Sequence, residues 1–263
     1  MSLDIKAIIK GLSDTAKEFD VKAYACVDST NTVAKRMGMK DNTGNSIIIS
    51  EMQTNGRGRN GNSFFSPDST GLYLSLLLKD KLNLIDVNKL TAVCAVAVMT
   101  AINKLSERKA SIKWINDILI DGKKVAGILV EPHYENNMKF VVIGIGVNVF
   151  KPAKGFPVKI IDKASYIFNE KLPLLRERLA IEIINESINL IFKAQDDICY
   201  SLYRSNSVLI GKNVIIYDRK QKKYFQATVV DVDKKYRLIV RCDNNEIKTV
   251  EGLHMSIYKS GEA

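Results

Sequence analysis

The chain has 263 residues, 46% hydrophobic and 26% charged, which excludes disorder, collagen and small disulfide scaffolds and favours one large domain plus a small one. Thirty-nine Lys and Arg against 29 Asp and Glu give a net charge of +10, which suits an anionic partner without choosing among nucleic acid, nucleotide and acidic protein. Four scattered cysteines (Cys26, Cys94, Cys199, Cys242) and two histidines (His133, His254) exclude a CxxC metal knuckle and a disulfide framework and argue against histidine catalysis.

Residues 5–19 place Ile5, Ile8, Ile9 and Leu12 at helical spacing, which predicts one helix. Asp4, Asp14, Glu18 and Asp20 in the same stretch are unlike a secretory signal, and no apolar run reaches the roughly 20 residues that span a bilayer. A cytoplasmic protein with no membrane partner is expected. Ser29-Thr30-Asn31 offers N-cap chemistry for a short helix through Met39. Residues 45–51 (NSIIISE) and 71–78 (GLYLSLLL) read as buried strands, joined by a polar stretch too long for a hairpin turn, and such loops are functional candidates.

Asp86 caps an apolar helix to about Glu107, with Leu90, Val93, Ala97, Ala101 and Leu105 on one face. Strands follow near 111–114 and 117–120, and Asp121-Gly122 is a type I′ hairpin signal. Two more strands, 123–131 and 139–149, make the sheet mostly antiparallel; Gly127, Gly144 and Gly146 interrupt them and mark bulges or close approach of a ligand. A long amphipathic helix between about Leu174 and Gln195 and a tyrosine-rich connector near 200–206 lead to five short strands at 213–217, 224–232, 236–241, 246–250 and 255–258. The expected fold is α+β: a mixed, mostly antiparallel sheet with packed helices over 1–207, and a small β-barrel over 208–263.

Gly56-Arg57-Gly58-Arg59-Asn60-Gly61 spells GxGxxG after a strand, but Asn62-Ser63-Phe64-Phe65-Ser66-Pro67-Asp68 has no helical period, so the dinucleotide reading fails. Two guanidiniums on a glycine-permissive backbone can instead wrap a carboxylate or phosphate; a solvated basic loop is the bland alternative. Lys113-Trp114-Ile115-Asn116-Asp117 places a cation, an amide and a carboxylate at a strand junction, and Lys123-Lys124 lies across the Asp-Gly turn. Strand-edge lysines that oppose aggregation have the same spacing.

Taken in order along the chain, Ser29-Thr30-Asn31, Gln53 with Gly56 to Gly61, Lys113 to Asp117, Lys124-Val125-Ala126-Gly127-Ile128 and Gly144-Ile145-Gly146-Val147-Asn148 resemble the catalytic domain of biotin protein ligases. The resemblance covers about residues 25–150, and residues 208–258 look like that family's SH3-like C-terminal domain. It implies a class II synthetase-like catalytic domain that forms biotinyl-5′-adenylate from biotin and ATP with Mg²⁺, then passes biotin to a lysine of a biotin carboxyl carrier protein or domain. By the same resemblance Lys124, Arg59 and Asp117 are catalytic, with Asp117 orienting Lys124 or the acceptor amine.

Ser29, Thr30 and Gln53 would bond the ureido ring, with Asn31, Gly56, Arg57 and Lys124 around biotin and the Gly127 and Gly144 strands as its floor. Arg57, Arg59, Phe64, Lys113, Asn116, Lys124 and Asn148 would meet ATP, and Asn148 its magnesium. Phe64 stands where the family often has Trp, and Ile115 where Pro is frequent. Only 27 residues precede Asp28, too few for the winged helix of family members that also repress transcription, so sequence-specific DNA binding is not expected. A homodimer is left open. A lipoate or octanoate ligase or transferase of the same fold, and a nonenzymatic nucleic-acid-binding protein, are the competing readings.

Overall fold

The computed structural model describes residues 2–79, 86–135, 137–193, 196–219, 221–252 and 255–259; His254 and Gln195 lie outside them. The single helix expected over 5–19 is two, α1 (Ile5–Gly11) and α2 (Asp14–Lys17). Ser13 leaves helical geometry at ψ 161° and caps α2, its Oγ accepting from the Ala16 amide at 3.4 Å. β1 (Asp20–Val27), which the sequence pattern did not predict, pairs parallel with β2 (Ser46–Gln53), and α3 (Thr30–Gly38) makes the crossover.

β3 (Gly71–Leu78) runs antiparallel to β2 and is buried along its whole length. α3 and α5 (Leu175–Phe192) both pack on it, and α5 also packs on α4 (Val87–Leu105). Asp86 caps α4 as expected, accepting from Asn88 N at 2.7 Å. β4 (Ser111–Lys113), β5 (Asp117–Ile120), β6 (Lys123–Glu135) and β7 (Asn137–Asn148) complete a seven-stranded sheet of order β1-β2-β3-β7-β6-β5-β4, antiparallel but for the β1–β2 pair. Its core is aliphatic: Ile47, Ile49, Leu74, Leu76, Ile143 and Val147 are all at most 1% exposed.

The tyrosine-rich stretch is not a plain connector. It belongs to α6 (Asp196–Ser205), which buries Cys199 and Tyr203 one turn apart. The five short strands form a second, antiparallel sheet: β8 (Asn213–Asp218), β9 (Lys223–Val232), β10 (Leu238–Cys242), β11 (Ile247–Val250) and β12 (Met255–Lys259), in the order β11-β10-β9-β8-β12. The architecture is therefore the expected α+β one, with a small all-β unit after it. That unit is tied to the junction of β4 and β5 by Trp114 Nε1, which donates to Tyr236 O at 2.8 Å, and α6 is tied to the same junction by Tyr203 OH, which donates to Ile115 O at 3.1 Å. No helix among the described residues is long and apolar enough to cross a membrane.

Beneath β2, the Arg176 guanidinium of α5, 5% exposed, donates from Nη1 to Glu51 Oε2 at 2.8 Å and to Gly71 O at 3.3 Å, while Glu51 also accepts from the Leu3 amide. Truncating one partner of a buried ion pair leaves the other charge uncompensated. Arg176→Met is expected to cost about 3 kcal/mol of stability, read as a lower urea midpoint at unchanged slope; a midpoint equal to the parent's would show that the pair contributes nothing net.

Candidate active site

β2 ends at Gln53, and the chain turns into a loop that closes on itself. Phe64 N donates to Gly56 O at 2.8 Å, Gly58 N to Asn62 O at 2.7 Å, and Asn60 and Gly61 take positive φ at its tip. Apart from a single 3-10 turn over Arg59–Gly61, no helix separates this loop from β3, as the failed dinucleotide reading requires. The two arginines diverge. Arg57 Nη2 meets Glu131 Oε1 of β6 at 2.6 Å. Arg59 donates from Nη1 to Asn116 Oδ1 at 2.9 Å and from Nη2 to the carbonyl of Gly252, which follows β11. Burial pulls the Arg59 pKa below its ordinary value while Asp117 opposes the shift; a guanidinium stays protonated at neutral pH regardless.

The Asp121-Gly122 turn takes positive φ at both residues, 50° and 76°, the type I′ geometry that the dipeptide signalled, and it folds β6 back along β5. Lys124 Nζ thereby reaches Asp117 Oδ1 at 2.6 Å. Asn116 Nδ2 lies 3.2 Å from the same Oδ1 and donates to Ile128 O at 3.1 Å. Arg59, Asn116, Asp117 and Lys124 thus form one polar chain, with the ammonium 5.9 Å from the Phe64 ring centroid. A Cβ at Gly127 would stand 2.8 Å from Lys124 Nζ, so the bare backbone there makes room for the ammonium. The Trp114–Ile115 peptide is cis.

These groups border two connected spaces. The outer cleft, about 250 Å³, has Lys113, Asp117, Lys124 and Arg59 on its walls, joined by Arg219 from the second sheet. The inner cavity has about 40 Å³ of interior room and is bordered by Ser29, Thr30, Gln53, Arg57, Gly127 and Gly144, among others. Thr30 N donates to Gln53 Oε1 at 2.8 Å, and Gln53 Nε2 to Ser66 Oγ at 2.8 Å. Asn31 Nδ2 donates to Glu131 Oε2 at 2.8 Å. Asn31 fits only because position 144 is glycine: a Cβ there would lie 2.1 Å from its Oδ1. Ser29 occupies the N-cap position but makes no side-chain cap bond, so its hydroxyl is not spent on the helix.

Ser29, Thr30, Asn31, Gln53, Arg57, Arg59, Phe64, Asn116, Lys124, Gly127 and Gly144 therefore meet around the inner cavity, with Gly56 beside it in the loop. Lys113 and Asp117 stand on the outer cleft. Asn148 lines neither: its Nδ2 donates to Ser165 O at 3.0 Å and holds the segment whose Ser165 N and Lys163 O bond the Lys124 backbone. Sequence reasoning missed Glu131, Ser66, Ser75, Arg219 and Gly252. A lone carboxylate in the apolar run GILVEP was a signal for Glu131; no spacing pointed to the other four.

Residues 23–148 match the model of the biotin/lipoate A/B protein ligase family. A bifunctional ligase/repressor BirA of Bacillus spizizenii is 35% identical over 140 residues, covering 53% of this chain and 43% of that protein. A biotin–[acetyl-CoA-carboxylase] ligase of Paracoccus denitrificans is 33% identical over 128 residues, 48% of this chain and 52% of its own. The chain thus aligns with about half the length of these curated relatives. Among solved structures, the biotin protein ligase from Aquifex aeolicus in complex with biotin and ATP superposes with a TM-score of 0.75 over 91% of this chain and 99% of that one, at 22% identity, a likeness of fold.

Proposed function

We propose that this chain, whose residues 23–148 match the model of the biotin/lipoate A/B protein ligase family, is an ATP-dependent biotin protein ligase. The observation that carries the reading is the Lys124–Asp117 pair at 2.6 Å, joined through Asn116 to Arg59 on the rim between an inner, hydroxyl- and amide-lined cavity and an outer, cation-lined cleft. In the first step a carboxylate oxygen of biotin attacks the α-phosphorus of ATP, the bond to pyrophosphate breaks, and biotinyl-5′-adenylate forms. Two anions must approach each other, so positive charge fixed beforehand lowers the barrier. Lys124 supplies it at the boundary of the two spaces, with Arg59 immobilised beside it and Lys113 further out along the cleft.

In the second step the neutral amine of a carrier-domain lysine attacks the acyl carbon, the bond to AMP breaks, and the amine sheds a proton. Asp117 orients Lys124 through their ion pair and is an acceptor close enough to assist that proton loss. Ser29, Thr30 and Gln53 offer the donors and acceptors that a ureido ring requires and a dithiolane does not, which supports biotin over lipoate. Magnesium would be held by the nucleotide's own phosphates and would help neutralise their charge. Because Asn148 Nδ2 is committed to Ser165 O, its amide oxygen is the atom suited to a hard cation, and among the described residues no group of three His, Cys, Asp or Glu could form a separate metal cage.

We divide the chain into a catalytic domain over 1–207 and a small domain over 208–263 that borders the outer cleft through Arg219 and Ile257 and holds Arg59 through the carbonyl of Gly252. Dependence on ATP suits action in the cytoplasm. Pyrophosphate exchange into ATP tests the reading: it is expected with biotin and Mg²⁺ and not with lipoate or without an acid. Faster exchange with lipoate would assign the chain to the other branch of the family. Salt-sensitive nucleic-acid binding with no exchange under any acid would overturn the enzyme reading altogether.

A further inference from the structure

Four residues that border the inner cavity, Arg57, Asn31, Thr30 and Gln53, are joined by one unbroken run of hydrogen bonds that begins and ends on the same loop. Arg57 meets Glu131 at 2.6 Å, and Glu131 takes the Asn31 amide at 2.8 Å on its other oxygen. Ser75 Oγ lies 2.7 Å from Asn31 Oδ1 and 2.8 Å from Thr30 Oγ1, Thr30 bonds Gln53, and Gln53 bonds Ser66, back at the far end of the loop. This belt fixes Arg57 and Gln53 at the border of the cavity, which has about 40 Å³ of interior room. Everything in the belt is neutral except its first link, so the Arg57–Glu131 contact is the one that an incoming anion can replace in kind.

We propose that Glu131 is a latch: its carboxylate occupies Arg57 and holds the glycine loop down until the carboxylate or phosphate of a substrate takes the guanidinium over. Glu131 touches no reacting group and acts through Arg57, so it is a positioning residue. This rests on the ligase reading above, and in the latched form Arg57 is not available to a substrate anion. The apparent affinity for biotin is then the intrinsic affinity reduced by the unlatched fraction. Glu131 contributes a separate oxygen to each neighbour, one to Arg57 and one to Asn31. Glu131→Gln has only one oxygen, which Asn31 can keep, and it turns its amide NH2 toward Arg57.

In the Glu131→Gln protein, tryptic cleavage after Arg57 and Arg59 without ligand is expected to rise about two- to fivefold, the scale set by a half-exposed ion pair. Cleavage elsewhere in the chain should not change. The KM for biotin should fall by a similar factor while kcat holds within about twofold, because removing the competitor enlarges the competent fraction without touching the reacting groups. A carboxylate that merely supports the cavity floor would do the opposite, raising KM. Glu131→Asp, which keeps both oxygens on a shorter stem, should fall between parent and Gln. An increased KM, or cleavage after Arg57 and Arg59 at the parent rate in a variant that unfolds at the parent temperature, overturns the latch. Should the parent itself show no biotin-dependent exchange, the ligase reading fails separately, and the cleavage comparison still reports whether Glu131 restrains the loop.

Discussion

Replacing Lys124 with alanine is expected to lower the rate of adenylate formation by on the order of 100-fold or more, with much less effect on biotin binding. Lys124 Nζ is held at 2.6 Å by Asp117 while its backbone is bonded on both sides, N to Lys163 O and O to Ser165 N, each at 2.8 Å. A cation fixed in this way needs no reorganisation when charge develops between carboxylate and α-phosphate, and such preorganisation is commonly the largest contribution to catalysis. Its loss appears in kcat because the charge matters most where the two anions converge. The neighbouring guanidinium of Arg59 does not move in to replace it, because it is tied to Asn116 and Gly252. Single-turnover measurement with saturating biotin and ATP is the check, with folding confirmed by unfolding temperature. A variant that turns over near the parent rate would show that the decisive charge lies elsewhere.

The same substitution should leave Asp117 with a carboxylate facing Asn116 alone. Lys124→Arg is therefore not a neutral control: the planar guanidinium is wider than an ammonium and must pass the Gly127 backbone to reach Asp117. It is expected to restore charge but not position, and so to recover only part of the rate.

How legible this arrangement was depended on range along the chain. The Asp121-Gly122 turn and the lysine it delivers were readable because a two-residue hairpin fixes its own register, and both partners of the Lys124–Asp117 pair lie within one hairpin. The strands around Gly144 and Leu74 announced themselves by apolar runs because both faces of the sheet's centre are covered. β1 gave no such signal. As an edge strand it exposes Lys22, Ala23, Tyr24 and Cys26, so nothing in its pattern separates it from loop. The break between α1 and α2 was written in Ser13-Asp14, which is cap chemistry inside an otherwise helical period. In α6 the Cys199–Tyr203 spacing was present, but Ile198 and Leu202 stay more than a third exposed and blur the stripe.

At the site, residue types were legible and partners were not. That Arg57 and Arg59 would seek negative charge follows from their chemistry, yet nothing local says where in the fold that charge comes from. The fold supplies one such charge from Glu131, 74 positions away, and seats Arg59 on a carbonyl 193 positions away. No local pattern encodes either meeting, because each depends on sheet register and on how the second sheet docks against Trp114.

The glycine at 127 offers the most selective probe of whether position, rather than charge alone, does the chemistry. Gly127 pairs with Asp117 across β5 and β6, and a methyl there would come within 2.8 Å of Lys124 Nζ and 2.9 Å of its Cε. Those atoms end a flexible side chain, so the protein can accept the methyl by moving the ammonium instead of distorting the sheet. Gly127→Ala is therefore expected to keep its unfolding temperature within a few degrees of the parent. It should lose on the order of 100-fold in adenylation rate, because displacement by about 1 Å is enough to cost that much in a preorganised site. The decisive comparison is the double variant. If the methyl acts only by displacing the lysine, Gly127→Ala added to Lys124→Ala should cost nothing further, since residues that act as a unit are non-additive. A further large loss in that background would instead place the methyl in the substrate's own path, making Gly127 part of the floor beneath biotin and not the seat of the ammonium.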